Sequence, residues 1–227
     1  MFGFLSKVLN NYKFILPILF FLLLPNSTSA QNKYNKNFYG GLFYLSEYIA
    51  SDEFIELKNN NDLVQIDSLY SKALKFFDYD ISESLLCLTF ACLPYNKIKV
   101  RMPFKSQIII PLPSPPQNIF NKRLNNLPSN IFFDSPNNNF GDKDKLSHFF
   151  GNAFLRYNFG LFNLSKFIGI FVENIEEAIF IEGGFDKRDI IANHLGELFG
   201  YSLRRNNDTL PSEVLKIYQL LFFRFNL

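Results

Sequence analysis

A mainly α-helical fold is predicted for this 227-residue chain, and three observations carry it. Apolar residues recur at helical spacing over most of the length. β-rich runs occur only between Lys97 and Leu112, and a Pro- and Asn-rich stretch separates the helical regions. The architecture expected is a helical bundle-like module with a small β hairpin and an extended Pro/Asn-rich strap. With 48% apolar and 19% charged residues and a mean hydropathy of zero, the composition is globular. That excludes a disordered tail protein, a collagen-like repeat and a multi-span membrane protein. Abundant Phe and Asn with no Trp is a bias any fold can carry, so the Asn clusters are not read as prion-like.

Residues 1–30 combine Lys7 and Lys13, an apolar run from Phe14 to Leu24, a Pro25-Asn26 break and a Thr28-Ser29-Ala30 end. This is the pattern of a secretory signal peptide cleaved after Ala30. The apolar run is shorter than the ~20 residues of a spanning helix. Gln31 rather than Cys follows the expected cut, so no lipid anchor is encoded there, and the mature product is expected in the periplasm or cell envelope. The first thirty residues hold two lysines and no acid, which leaves basic and acidic residues equal in number from Gln31 onward. A neutral chain without a basic cluster argues against nucleic acid as partner.

Two regions are expected after the signal peptide: 31–141, helical with the hairpin and strap, and 142–227, a helical module. In the first, Gly41 to Ala50 and Asp62 to Phe77 show helical periodicity, the latter through Leu63, Ile66, Leu69, Tyr70, Ala73, Leu74 and Phe77. Ser84 to Leu93 is apolar throughout and fits a buried helix or strand. Its two cysteines, Cys87 and Cys92, point to different sides of a helix and sit among Leu85, Leu86, Leu88 and Phe90, which favours free buried thiols. Lys97 to Arg101 and Gln107 to Leu112 form the hairpin. Pro111, Pro113, Pro115 and Pro116 then forbid immediate helix, and the stretch to Asn139 reads as a surface strap.

From Asp142 helices are expected over about Lys145–Tyr157, Ser165–Phe180, Lys187–Arg204 and Ser212–Phe225. Asp186 is placed to cap the third, with Asp189 in its first turn, and Gly183-Gly184 breaks the chain before it. Asp144, His148 and Asn152 share one face of the first of these helices, and Glu173 shares a face of the second with Glu176 and Glu177, one turn after Gly169. In the third, Asp189, Asn193, Gly196 and Gly200 fall on a single stripe. Each interior glycine costs about 1 kcal/mol relative to Ala, so close approach by another helix or a ligand is the natural reason to keep it. A helix meeting that groove brings its own side chains against Asp189 and Asn193.

The ordered set Asp144-Lys145-x-x-His148-Phe149, Gly169-x-x-x-Glu173 and Asp189-x-x-x-Asn193-x-x-Gly196-x-x-x-Gly200-Tyr201 resembles the uncharacterised YfiM-type periplasmic proteins and, more distantly, the VanZ-like membrane proteins. The resemblance spans about residues 142–203. This chain has Asn193 where the YfiM-like pattern carries Asp, lacks the lipoprotein cysteine, and has Glu176 where VanZ-like sequences commonly have Gln. The resemblance implies a compact α-helical module at the envelope and supplies no established chemistry.

Two functions from different classes follow. One is a structural or binding role, in which Asp144 and Asp189 cap helices, His148 bonds a buried carboxylate, Asn193 bridges backbones, and Gly169, Gly196 and Gly200 permit tight packing. The other is a metal-dependent or acid/base hydrolase acting on an envelope lipid or cell-wall component. Asp144, His148, Glu173, Glu177 and Asp189 would converge between helices, with Asp144, His148, Glu173 and Asp189 as ligands of a divalent metal and His148, Glu173 and Asp189 as the catalytic candidates. His194, one position off the stripe, is expected at the surface. A belt of Phe149, Phe150, Phe154, Phe159, Phe162, Phe167 and Phe171 with Leu220 to Phe225 is a candidate for contact with a membrane surface.

Overall fold

The structure is a computed structural model that describes residues 34–58, 61–101, 107–159 and 187–223. The expected signal peptide, the helix expected over Ser165–Phe180 and the Asp186 cap lie outside the described residues. Eight helices and two strands are described: α1 (Phe38–Ile49), α2 (Asp52–Lys58), α3 (Asp62–Phe76), α4 (Ile81–Ala91), β1 (Lys97–Arg101), β2 (Gln107–Pro111), α5 (Gln117–Asn126), α6 (Lys145–Asn158), α7 (Lys187–Leu203) and α8 (Pro211–Phe223). The fold is mainly helical with one small antiparallel hairpin, in the register Ile98 opposite Ile110 and Lys99 opposite Ile109.

Local chemistry sets the helix starts. Asn37 accepts the Gly40 N–H at 2.8 Å before α1, Asn61 accepts Leu63 N–H at 2.8 Å before α3, and Asp80 accepts Glu83 N–H at 3.0 Å before α4. The chain reverses between α3 and α4 through Asp78 and Tyr79, both at positive φ (51° and 67°). Tyr79 N–H reaches back to the Leu74 carbonyl at 2.7 Å, which closes the helix end. The Ser84–Leu93 segment resolves as helix, α4, which buries Leu85, Cys87, Leu88 and Ala91 and leaves Leu86 and Phe90 half-buried.

Apolar faces of both expected regions meet in one core that runs from Leu42 and Leu45 of α1 through Ile66 and Leu69 of α3, Leu85 and Leu88 of α4, Phe149 and Phe150 of α6 and Phe199 of α7 to Leu215 of α8. Each of these side chains is wholly or almost wholly buried. Phe149 stacks on Phe199 with ring centroids 5.2 Å apart, and Tyr70 meets Phe199 edge-on at 5.3 Å. Phe149 and Phe150 therefore belong to the core, which removes them from the expected membrane-facing belt.

The strap is corrected in two respects. Its middle forms the helix α5, because Pro116 occupies the N-cap, where its missing N–H costs nothing and its fixed φ suits the entry. After α5 the chain first turns inward, with Leu127, Ile131 and Phe132 in the core, and only residues 133–139 run along the surface as a strap. Side chains from this region satisfy the ends of other elements. Arg123, 1% exposed, donates to the carbonyls of Phe90 (3.4 Å) and Leu93 (2.8 Å) at the C-terminal end of α4, and to Ser46 Oγ (3.3 Å). Burial lowers its guanidinium to about 10, which leaves it charged at neutral pH. Asn126 Nδ2 donates to the Ile49 carbonyl at 2.8 Å, Asp62 accepts the N–H groups of Ser129 (2.9 Å) and Asn130 (2.7 Å), and Asp67 accepts Ser212 N–H (2.9 Å) at the start of α8.

Cys87 and Cys92 are free and buried, as the apolar setting indicated. Burial pushes Cys92 up to about 12, with only the Arg123 charge opposing, and burial raises Cys87 likewise. Neither thiol forms an appreciable thiolate at neutral pH. Titration with a chromogenic disulfide reagent should find no reactive thiol in the native protein at pH 8 and both thiols in denaturant.

Candidate functional site

The site is built on the seam between α6 and α7. The partners pair in ascending order: Lys145 with Asp189, His148 with Asn193, and the backbone of Phe149 and Ala153 with Gly196 and Gly200. The two helices are therefore parallel, with both N-terminal ends on the same side. A Cβ at Gly196 would stand 2.1 Å from the Phe149 carbonyl oxygen, and one at Gly200 would stand 2.3 Å from that of Ala153. These two glycines let the backbone of α7 lie directly on the carbonyls of α6, the close approach their stripe foretold.

That approach brings side chains of the two N-terminal turns together. Lys145 Nζ donates to Asp189 Oδ1 at 2.6 Å and to Asp144 Oδ2 at 2.9 Å, with its side chain 2% exposed. A cation in the first turn of a helix opposes the helix dipole, so both carboxylates are needed to hold it there. Asp144 stands at the N-cap of α6 without capping it, which corrects the expected role: its backbone carbonyl accepts Ser147 N–H and its carboxylate turns to Lys145. Asp189, in the first turn of α7, also gives a carboxylate oxygen to Lys145.

A chain of amides orients His148. Asn152 Nδ2 donates to the His148 carbonyl at 3.0 Å and to Asn193 Oδ1 at 2.6 Å. The Asn193 amide oxygen is thereby turned toward His148 Nδ1 at 3.2 Å, so Nδ1 carries the proton. Nε2 then faces Asp189 Oδ1 at 3.6 Å. Asn193 bridges side chains rather than backbones, and the Oδ1 atoms of Asn152 and Asp144 are buried without a hydrogen-bond partner.

A second ion pair flanks the first. Arg188 donates to Asp142 Oδ1 at 2.6 Å, and Asp142 Oδ2 accepts the N–H groups of Ile131 and Phe132 (3.2 Å each) and the Ser135 hydroxyl. Burial raises the Asp142 carboxyl above its ordinary range, while these donors pull it back. At the N-terminal ends of α6 and α7 three carboxylates thus face two permanent cations, one charge short of balance while His148 is neutral. The converging positive ends of two parallel helices favour that excess.

Of the residues singled out from sequence, Asp144, His148, Asp189 and Asn193 converge, with Asn152 joining them. Glu173, Glu176, Glu177 and Gly169 lie outside the described residues. His194 is exposed as expected. Sequence reasoning missed Lys145, whose signal was its place one turn before core-facing Phe149, and the Asp142–Arg188 pair. Chemically, the cluster offers one imidazole nitrogen and two carboxylates whose ligand atoms lie within 4.8 Å of one another. A divalent metal suits that donor set, but it would have to displace the Lys145 ammonium from both carboxylates.

Replacing Gly196 with Ala should cost about 2–3 kcal/mol, because α7 must lift off the α6 carbonyls. Thermal melting followed by circular dichroism checks this, with Gly151→Ala, whose Cβ would meet only the Thr89 methyl at 3.3 Å, as the mild comparison. No protein-family model, curated protein or solved structure matches the chain, so the YfiM-like and VanZ-like resemblance rests on the motifs that carry it.

Proposed function

We propose that this chain is an exported cell-envelope protein whose helical module serves a structural or binding role. The cluster of Asp144, Lys145, Asp189 and His148 is its ionic lock, which fixes α7 on α6 in one register. The observation that carries this reading is Lys145: an ammonium 2.6 Å and 2.9 Å from two carboxylates, with almost no exposure, is bound to the fold and withheld from any substrate. Buried charge of this kind specifies one arrangement of helices, and it is costly to break from one side only. Export is supported by the lysine-bearing, apolar, small-residue pattern of residues 1–30.

One observation favours a second reading, a metal-dependent or acid/base hydrolase acting on an envelope lipid or cell-wall component. The ligand atoms of Asp144, His148 and Asp189 are near enough to hold one ion. Those three residues would hold the metal, which supplies Lewis-acid activation of a water when bound. Nε2 would be the ligand atom of His148 in the metal case and the proton acceptor in a metal-free acid/base case, and the amides of Asn152 and Asn193 keep it aimed.

Elemental analysis of the purified chain, run beside thermal melting of Lys145→Met and His148→Ala, separates the two. Under the lock reading the protein carries no stoichiometric metal. Lys145→Met, which takes the cation from the buried Asp189 and the half-buried Asp144, then loses about 3–5 kcal/mol, on the order of 10 °C in Tm. About one equivalent of a transition metal, lost in His148→Ala while the melting curve stays in place, would replace the lock with the hydrolase.

A further inference from the structure

Among the described residues, the hairpin stands apart from the hydrophobic core. None of its described residues joins the hydrophobic core, although β2 reads Gln-Ile-Ile-Ile-Pro. Ile108 is 47% exposed and Ile109 57%, and as neighbours on one strand they point to opposite faces of the ladder. A two-stranded ladder is marginal in water without something against one of its faces. Here both faces present an exposed aliphatic side chain.

Charge identifies what covers them. From Ser84 to Phe133 the chain contains six basic residues and no Asp or Glu, although it is neutral overall from Gln31 onward. Three of the six, Lys97, Lys99 and Arg101, alternate along β1, and Lys97 is exposed. In this acid-free stretch β1 sets three basic residues beside the exposed isoleucines of β2. Isoleucines beside lysines suit hydrocarbon beneath anionic headgroups; a single-stranded nucleic acid calls for aromatic stacking faces in their place. A protein groove would cover one face of the ladder and leave the other isoleucine in water, whereas a bilayer interface surrounds both.

We infer that the β1–β2 hairpin is a membrane-docking wedge that seats in the interface of an anionic phospholipid bilayer. Ile108 and Ile109 enter among the acyl chains from the two faces of the ladder, and Lys97 and Lys99 meet the headgroups. The insertion is shallow, because the described sheet has only two strands and an open ladder, unlike a closed barrel, does not cross hydrocarbon.

The absence of Trp from the sequence gives a direct test. Ile109→Trp in the full chain carries the sole indole, which reports the hairpin alone whatever the apolar N-terminal segment does. Vesicles containing phosphatidylglycerol should shift its emission to the blue and allow quenching by brominated acyl chains, while pure phosphatidylcholine vesicles should not. Changing Lys97 and Lys99 together to Gln should weaken the response about 30-fold. A Trp placed at exposed Leu198 on α7 should report no insertion. Ile108→Trp, on the opposite face, should behave as Ile109→Trp does, and it serves if the first variant does not fold. The inference is overturned if the indole ignores anionic vesicles or responds equally to neutral ones. It is overturned also if the shift follows protein concentration without lipid, the mark of a second copy, or appears only with a single-stranded oligonucleotide.

Discussion

The distance between α6 and α7 is the constraint on which the remainder of the module depends. Gly196 and Gly200 set it by letting the backbone of α7 rest on two carbonyls of α6. At that separation Phe149 and Phe199 can stack, Asn193 can reach both Asn152 and His148, and Asp189 can reach Lys145. A wider gap would lose the aromatic contact and strand the lysine at once. Glycine is thus kept inside a helix at a cost in helix propensity, and the return is a dry seam in which short polar contacts hold in low dielectric.

Outside the seam, the fold is held by side chains that complete the ends of distant elements. Arg123 and Asn126 serve the C-terminal ends of α4 and α1, Asp67 serves the start of α8, and Asp62 and Asp142 serve loop amides. Helix termini expose several unpaired backbone groups, and in a small multi-helix body many of those ends point inward. This explains why Arg123 is buried with carbonyl and hydroxyl acceptors instead of a carboxylate. Its positive charge answers the negative end of a helix dipole.

Much of this was legible in the sequence where a pattern has one physical meaning. Paired glycines four apart on a polar stripe call for a close partner, and the stripe of Asp189, Asn193, Gly196 and Gly200 found one in α6. The helical periods of α1, α3, α6, α7 and α8 located those elements to within a few residues. What stayed hidden are features whose sequence signal has two meanings. Lys145 beside Asp144 looks like a solvated helix start, and only tertiary burial turns it inward. A run of prolines looks like the end of helix formation, yet a Pro is also tolerated at a helix start, where its missing N–H is not needed, so α5 hides inside the strap. Asp144 looked like a cap because its position is right, while its carboxylate is claimed by a stronger, charged partner.

The docking of α8 on α3 has a consequence for how the chain acquires its structure. Asp67 receives the Ser212 amide across 145 residues of sequence, and Val214 and Leu215 close the core from the same helix. Every residue between Asp67 and Ser212 must be available before that contact forms. Until then the apolar faces of α1, α3 and α4 lack their last cover, and the assembling chain is a natural client for a holdase. Completion of this core is therefore a late event, in which α8 seals what α1, α3 and α4 began.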